Sequence, residues 1–130
     1  MQRVFLDANV LFSAAYREGA GLLELWRRPD VRLLASGYAV EEARRNLDSP
    51  ERRERLERLL SAIEVVMEAP SERLPDAVRL SEKDEPILRA AIAARATHLL
   101  TGDIRDFSHL FGRRVGGLLV QTPGDFLRSR

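Results

Sequence analysis

Apolar residues arrive along this chain in short, near-continuous runs, separated by longer stretches in which they recur every three or four positions. The runs at 4–6, 31–35, 64–67, 98–101 and 118–120 have the length and β-branched or leucine-rich character of strands buried on both faces. The intervening stretches read as helices. One covers 8–16 and breaks at Gly19 and Gly21; a second covers 22–28 and closes at Pro29. Val40, Ala43 and Leu47 keep helical spacing over about 37–47, with Pro50 as its stop, and Leu56, Leu59, Leu60 and Ile63 repeat that spacing. The opposite face of this last segment carries Glu51, Glu54, Arg55 and Arg58 in i, i+4 pairs, the pattern of a solvated face. A short helix is expected near 75–80, a longer one beginning near Asp84 on Ile87, Leu88, Ala91 and Ile92, and a final one from Pro123 through Leu127. Strands alternating with helices predict an α/β fold: a three-layer α/β/α domain with a central parallel sheet of four to five strands. We expect residues 1–130 to form one domain.

Composition narrows the chemistry. The 130 residues are 45% hydrophobic and 32% charged, as in an ordinary globular protein. The chain has no cysteine, which removes disulfide frameworks, thiol nucleophiles and zinc–thiolate sites. The longest stretch without a charge, from Val115 to Gly124, is too short to span a bilayer, and Asp7 interrupts the first apolar run too early for a secretory signal. A cytoplasmic protein without membrane contact is the expectation. Of the 21 basic residues all but Lys83 are arginine, and arginine's planar fork of donors suits phosphate, although a GC-rich genome gives the same bias. Any lysine chemistry rests on Lys83 alone. His98 and His109 are too few for a histidine-rich metal site.

The acids are placed more tellingly. In open α/β sheets, ligands sit beyond the carboxyl ends of the strands. Asp7 directly follows the first strand, and Asp103 follows the fourth after Thr101-Gly102. Asp84 begins a helix, and Glu41 and Glu42 lie in the first turns of the helix after the second strand. Carboxylates converging from these segments repel one another by roughly 4 kcal/mol per pair at about 4 Å, unless a proton or a cation intervenes. Hard oxygen donors without sulfur or imidazole select Mg²⁺ or Mn²⁺, ions suited to phosphate chemistry. Each acid also has a plainer reading: Asp7 and Asp84 as helix caps, Asp103 as a turn residue, Glu41 and Glu42 as exposed helix charges. Glu41 and Glu42 flank the apolar stripe almost symmetrically. Glu41 has Arg45 at i+4 as a partner, whereas Glu42 faces neutral Asn46, which favours Glu42 as the site residue.

The segments VFLDANVLFSAAYR, SGYAVEEARRNL, DEPILRAAIAARATHLLTGDIRDF and GLLVQTPGDFL resemble a PIN domain, closest to the single-domain VapC-type toxin nucleases of prokaryotic toxin–antitoxin pairs. The likeness runs from Val4 to Leu127, and LDANV and LLTGDIRDF are its most specific parts. It implies a Rossmann-like PIN fold, a divalent metal, and hydrolysis of RNA phosphodiester bonds by an endoribonuclease. It also implies a cognate antitoxin that inserts a segment into the cleft, and often a homodimer. Carried over by residue, its metal-binding acids fall on Asp7, Glu42, Asp84 and Asp103. Asn9 and Thr101 would position metal or water beside them, and Asp106 matches an accessory acid. Arg17 and Arg105, near the acids in sequence, are the candidates for flanking phosphates.

Two other functions compete. A catalytically inactive module of the same fold would bind RNA or protein, but a pure RNA binder gains nothing from gathering carboxylates where phosphate sits. A phosphatase of the haloacid dehalogenase type requires an aspartate where this chain has Asn9.

Overall fold

The computed structural model describes residues 1–129. The first strand, β1 (Gln2–Leu6), runs through the middle of a six-stranded sheet, and its Val4, Phe5 and Leu6 are wholly buried. Helix α1 (Ala8–Tyr16) follows, then a 3-10 turn at Gly21–Leu23 that runs into α2 (Glu24–Arg27). Next come β2 (Val31–Ser36), α3 (Gly37–Asn46), α4 (Pro50–Leu60) and β3 (Glu64–Val66). The second half holds α5 (Glu85–Ala93), β4 (His98–Leu100), α6 (Ile104–Phe107), β5 (Arg114–Val115), β6 (Leu118–Gln121) and α7 (Pro123–Arg128).

The sheet order is β3-β2-β1-β4-β6-β5, parallel except for β5 against β6. The five parallel strands are those the apolar runs predict. The sixth belongs to a hairpin whose two turn residues, Gly116 (φ 56°) and Gly117 (φ 88°), both require the left-handed region. From β1 the chain steps outward to β2 and β3, then returns to lay β4 on the other side of β1. With right-handed crossovers, that reversal puts helices on both faces of the sheet and leaves a crevice between the carboxyl ends of β1 and β4.

Local chemistry fixes the helix starts. Ser36 at the end of β2 caps α3 by accepting from the Ala39 amide (3.1 Å), and Ser49 caps α4 from the Arg52 amide (3.2 Å), with Pro50 as its first residue. Pro50 therefore opens a helix; the preceding one already ends at Asn46. The face of α4 expected to be merely solvated has a structural task. Arg52 and Arg55 donate to the carbonyls of Ala15 and Tyr16 at the end of α1 (2.8–3.1 Å), whose last turn holds no basic residue. Arg58 keeps its i, i+4 pair with Glu54 (3.2 Å). The helix expected near 75–80 is replaced by turns, because Pro75 lies within a stretch too short and polar to sustain one. Among the described residues no helix is long and apolar enough to cross a membrane.

Candidate active site

The crevice between β1 and β4 is tied together by side chains from both strand ends. The Asp7 amide donates to the Leu100 carbonyl (3.0 Å). Asn9 Oδ1 accepts from the Gly102 amide (2.8 Å), and a Cβ at position 102 would stand 3.3 Å from that oxygen, so glycine suits the close approach. Thr101 Oγ1 donates to Asp7 Oδ2 (2.8 Å) and accepts from the Asp103 amide (3.0 Å). Asn9 Nδ2 also donates to Asp7 Oδ2 (3.2 Å), while Asp7 Oδ1 accepts from the Ala8 amide (2.7 Å). Asp7 is thus both the cap of α1 and a fixed carboxylate at the base of the crevice. Thr101 is entirely buried and Asp7 nearly so.

A cavity of about 310 Å³ opens here. Its walls include Asp7, Asn9 and Phe12 from β1 and α1, Glu42 and Asn46 from α3, Lys83, Asp84 and Ile87 at the start of α5, and Asp103 after β4. The four acids drawn from four distant segments therefore share one cavity. Asp103, Asp84 and Asp106 lie closest, each bringing one carboxylate oxygen within 4.8 Å of the other two. Asp106, expected as an accessory acid, stands in this tight group although it does not line the cavity.

The capping alternatives resolve differently for each acid. Asp103 Oδ1 caps α6 by accepting from the Asp106 amide (3.0 Å). Asp84 occupies the cap position of α5 without capping it; its carboxylate instead accepts from Ser81 Oγ (3.0 Å). Glu41 is exposed and bridged to Arg44, one residue short of the Arg45 expected as its partner. Glu42 has no hydrogen-bond or ion-pair partner among the described residues and faces the cavity.

Electrostatics shows a site with more negative charge than it can balance. Burial pushes the Asp7 carboxyl above the usual range, against the hydrogen bonds from Thr101 and Ala8, with Glu42 and Asp103 adding repulsion. Asp84 is pushed up to about 6, chiefly by burial, then by its hydrogen bond with Asp106 and the charges of Asp103 and Asp106. Neither histidine contributes: His98 packs edge-on to Phe126, and His109 accepts from the Arg79 amide (3.1 Å). An all-oxygen donor set with surplus negative charge fits a hard divalent cation.

Arg17 lines a neighbouring hollow with Phe12, Tyr16 and Leu22 rather than the carboxylate cavity, and Arg105 is exposed on α6. Phe12 also lines the cavity, although in the sequence an aromatic in an apolar helix reads as core. Its i, i+3 spacing from Asn9, one turn along the same helix face, is the signal that points to it.

A family model described as PIN domain matches residues 3–105. No curated protein sequence matches the chain significantly. Solved structures do. A chain in the crystal structure of VapBC2 from Rickettsia felis, bound to a DNA fragment from their promoter, superposes with a TM-score of 0.64. It is 17% identical, and the match covers 93% of this chain and 98% of that one, so the likeness is one of fold.

Proposed function

Since the chain belongs to the PIN domain family, we propose that it is an endoribonuclease, a single nuclease domain that hydrolyses RNA phosphodiester bonds with Mg²⁺ or Mn²⁺. Asp7, Asp84, Asp103 and Glu42 would hold the cation. Bound there, it supplies positive charge to the scissile phosphate and lowers the pKa of water. The chain's own residues do the rest. Thr101 and Asn9 hold Asp7 in one orientation, so its carboxylate needs no rearrangement when substrate enters. Ser81 fixes Asp84, whose freedom from capping leaves it for the cleft. Glu42, without a hydrogen-bonded partner, receives the proton released by the attacking water. Arg17 and Arg105 would take phosphates flanking the cleft.

The observation that carries this reading is the gathering of four acids on one cavity with burial raising Asp7 and Asp84. A fold that collects unbalanced carboxylates at a crevice is built for a cation. The fold shared with the VapBC2 chain supports a biological setting in which this chain is a toxin held by a cognate antitoxin. The test is cleavage of end-labelled single-stranded RNAs by the purified protein with Mg²⁺, Mn²⁺ or a chelator. Cleavage that requires the metal and disappears in Asp103→Asn is expected. RNA binding without cleavage in either metal would replace this reading with the inactive binding module.

A further inference from the structure

The chain's only lysine lines the cavity that its acids build. Lys83 is the single cationic side chain on those walls among the described residues, it is exposed, and it has no hydrogen-bond or ion-pair partner there. Glu82, Asp84 and Glu85 surround it in sequence, yet it pairs with none of them. Arg89 on α5, which follows, is by contrast taken up by Glu85 and by the carbonyl of Glu72. The backbone under Lys83 is pinned. The amides of Asp84 and Glu85 both donate to the Ser81 carbonyl (3.0 Å each), and the Ser81 hydroxyl closes onto Asp84. A flexible four-carbon stem thus carries an ammonium from a rigid turn at the lip of the cleft. In a chain that otherwise uses arginine throughout, a compact ammonium with three rotatable donors stands where the guest must enter.

A phosphodiester carries negative charge into a cleft already lined by four carboxylates. A divalent cation offsets only part of that charge. We propose that Lys83 is a phosphate-binding residue of this cleft, its ammonium donating to a non-bridging oxygen of the RNA phosphodiester held there. The inference rests on the ribonuclease reading and deepens it.

One lysine makes the test clean. Acetylation with an N-hydroxysuccinimide ester leaves two reactive amines, Lys83 and the N-terminus, and the second serves as internal reference in mass spectrometry of the full chain. A single-stranded 2′-O-methyl RNA oligonucleotide in Ca²⁺ buffer should slow acetylation of Lys83 several-fold while sparing the N-terminus. In parallel, Lys83→Ala should raise KM for RNA about tenfold and reduce the log–log salt slope of binding by about one unit. Lys83→Arg should restore the slope. The melting temperature should be unchanged, because the side chain is exposed and unpaired. If the parent cleaves RNA but Lys83→Ala keeps its KM and slope, the proposal is overturned, whatever the labelling shows. A higher KM with an unchanged slope and no protection overturns it too, marking a residue that acts only through the turn beneath Asp84. Should the parent cleave no RNA, the nuclease reading fails separately. Labelling then still decides: protection keeps Lys83 as a phosphate contact in a binding module, and its absence removes it.

Discussion

Two charge-rich regions of this molecule treat the same residue types in opposite ways. On the outer α3–α4 surface four acids are matched with cations: Arg44 bridges Glu41 and Glu57, Arg52 pairs with Asp48 (3.0 Å) and Arg58 with Glu54 (3.2 Å). Arg44 holds the Glu57 carboxyl below its usual range. In the β1–β4 crevice the acids face one another, and burial raises Asp7 and Asp84 instead. Exposed pairs of the first kind contribute about 0–1 kcal/mol each and are screened by salt. Carboxylates of the second kind cost stability until something positive arrives. The difference separates charge arranged for the folded chain from charge arranged for a guest.

The sharpest way to break that contrast is Asp103→Asn. The amide keeps the oxygen that caps α6 while removing one charge from the group with Asp84 and Asp106. Metal-dependent RNA cleavage should fall by about a thousandfold or more, with metal-free stability equal to the parent or higher. Mg²⁺ should raise the melting temperature of the parent and much less that of the variant. Asp7→Asn should also abolish cleavage, but here the structure predicts a loss of stability. Asp7 accepts from Ala8 through one oxygen and from Thr101 and Asn9 through the other, and the amide keeps only one of these acceptors. A cost of about 1–3 kcal/mol in urea unfolding is expected. Equal stability of Asp7→Asn and the parent would show that relief of the buried charge offsets the lost hydrogen bonds.

Two adjacent glutamates give a smaller and more discriminating effect. Glu42→Gln should slow cleavage by about tenfold to a thousandfold, within the range of a lost proton acceptor. Glu41→Gln should leave the rate unchanged, since its charge is spent on Arg44 at the surface. The reverse outcome in single-turnover assays would move the site glutamate by one position and rotate α3 relative to the cleft.

The pH response of metal-free protein distinguishes the regions next. Asp84 titrates near 6 in the fold and near 3.9 in an unfolded chain. Its favourable contribution is present in full below the unfolded value and is lost as pH rises through about 6, where a buried carboxylate must ionise. Lowering pH from 7.5 to 5 without metal should therefore stabilise the parent relative to Asp84→Asn by roughly 1 kcal/mol, about half of the full effect because pH 5 still lies above the unfolded value. Urea unfolding of both at the two pH values checks this, and a parent that loses stability against the variant on acidification would contradict it. Saturating Mg²⁺ should diminish the difference by competing with the proton.

Legibility of the sequence followed the range of the physics involved. Strands such as Val4-Phe5-Leu6 declare themselves because burial on both faces demands uninterrupted apolar residues. The five parallel strands and α1, read over the same residues 8–16 as observed, were open to inspection for that reason. Gly116-Gly117 is a hairpin turn, but Arg114–Val115 before it is too short to read as a strand from the sequence. Asp7, Asp84 and Asp103 could be placed at one edge by topology, since each follows a strand or opens a helix. What no local pattern could give was the state of each carboxylate. That Asp7 caps and Asp84 does not depends on Thr101, 94 residues from Asp7, and on Ser81 three residues before Asp84. The partner of Glu41 and the task of Arg55 were missed for the same reason, being settled by where α4 packs against α3 and α1.

The smallest effect belongs to the paired surface and completes the contrast. Arg44 is the hub between α3 and α4, donating to both carboxylate oxygens of Glu57 (2.7 and 3.0 Å) as well as to Glu41. Its side chain is 39% exposed, so water and salt already compete for each of those bonds. Arg44→Ala should cost less than about 1 kcal/mol in urea unfolding at low salt, and the loss should shrink toward zero in 1 M NaCl as screening removes what the pair supplied. Cleavage of RNA should not change, because Glu41 and Glu57 released from Arg44 remain on the outer surface, away from the cavity walls. If Arg44→Ala instead slowed cleavage at unchanged stability, the α3–α4 pairs would be holding Glu42 in place, and the division between structural and functional charge would fail at α3.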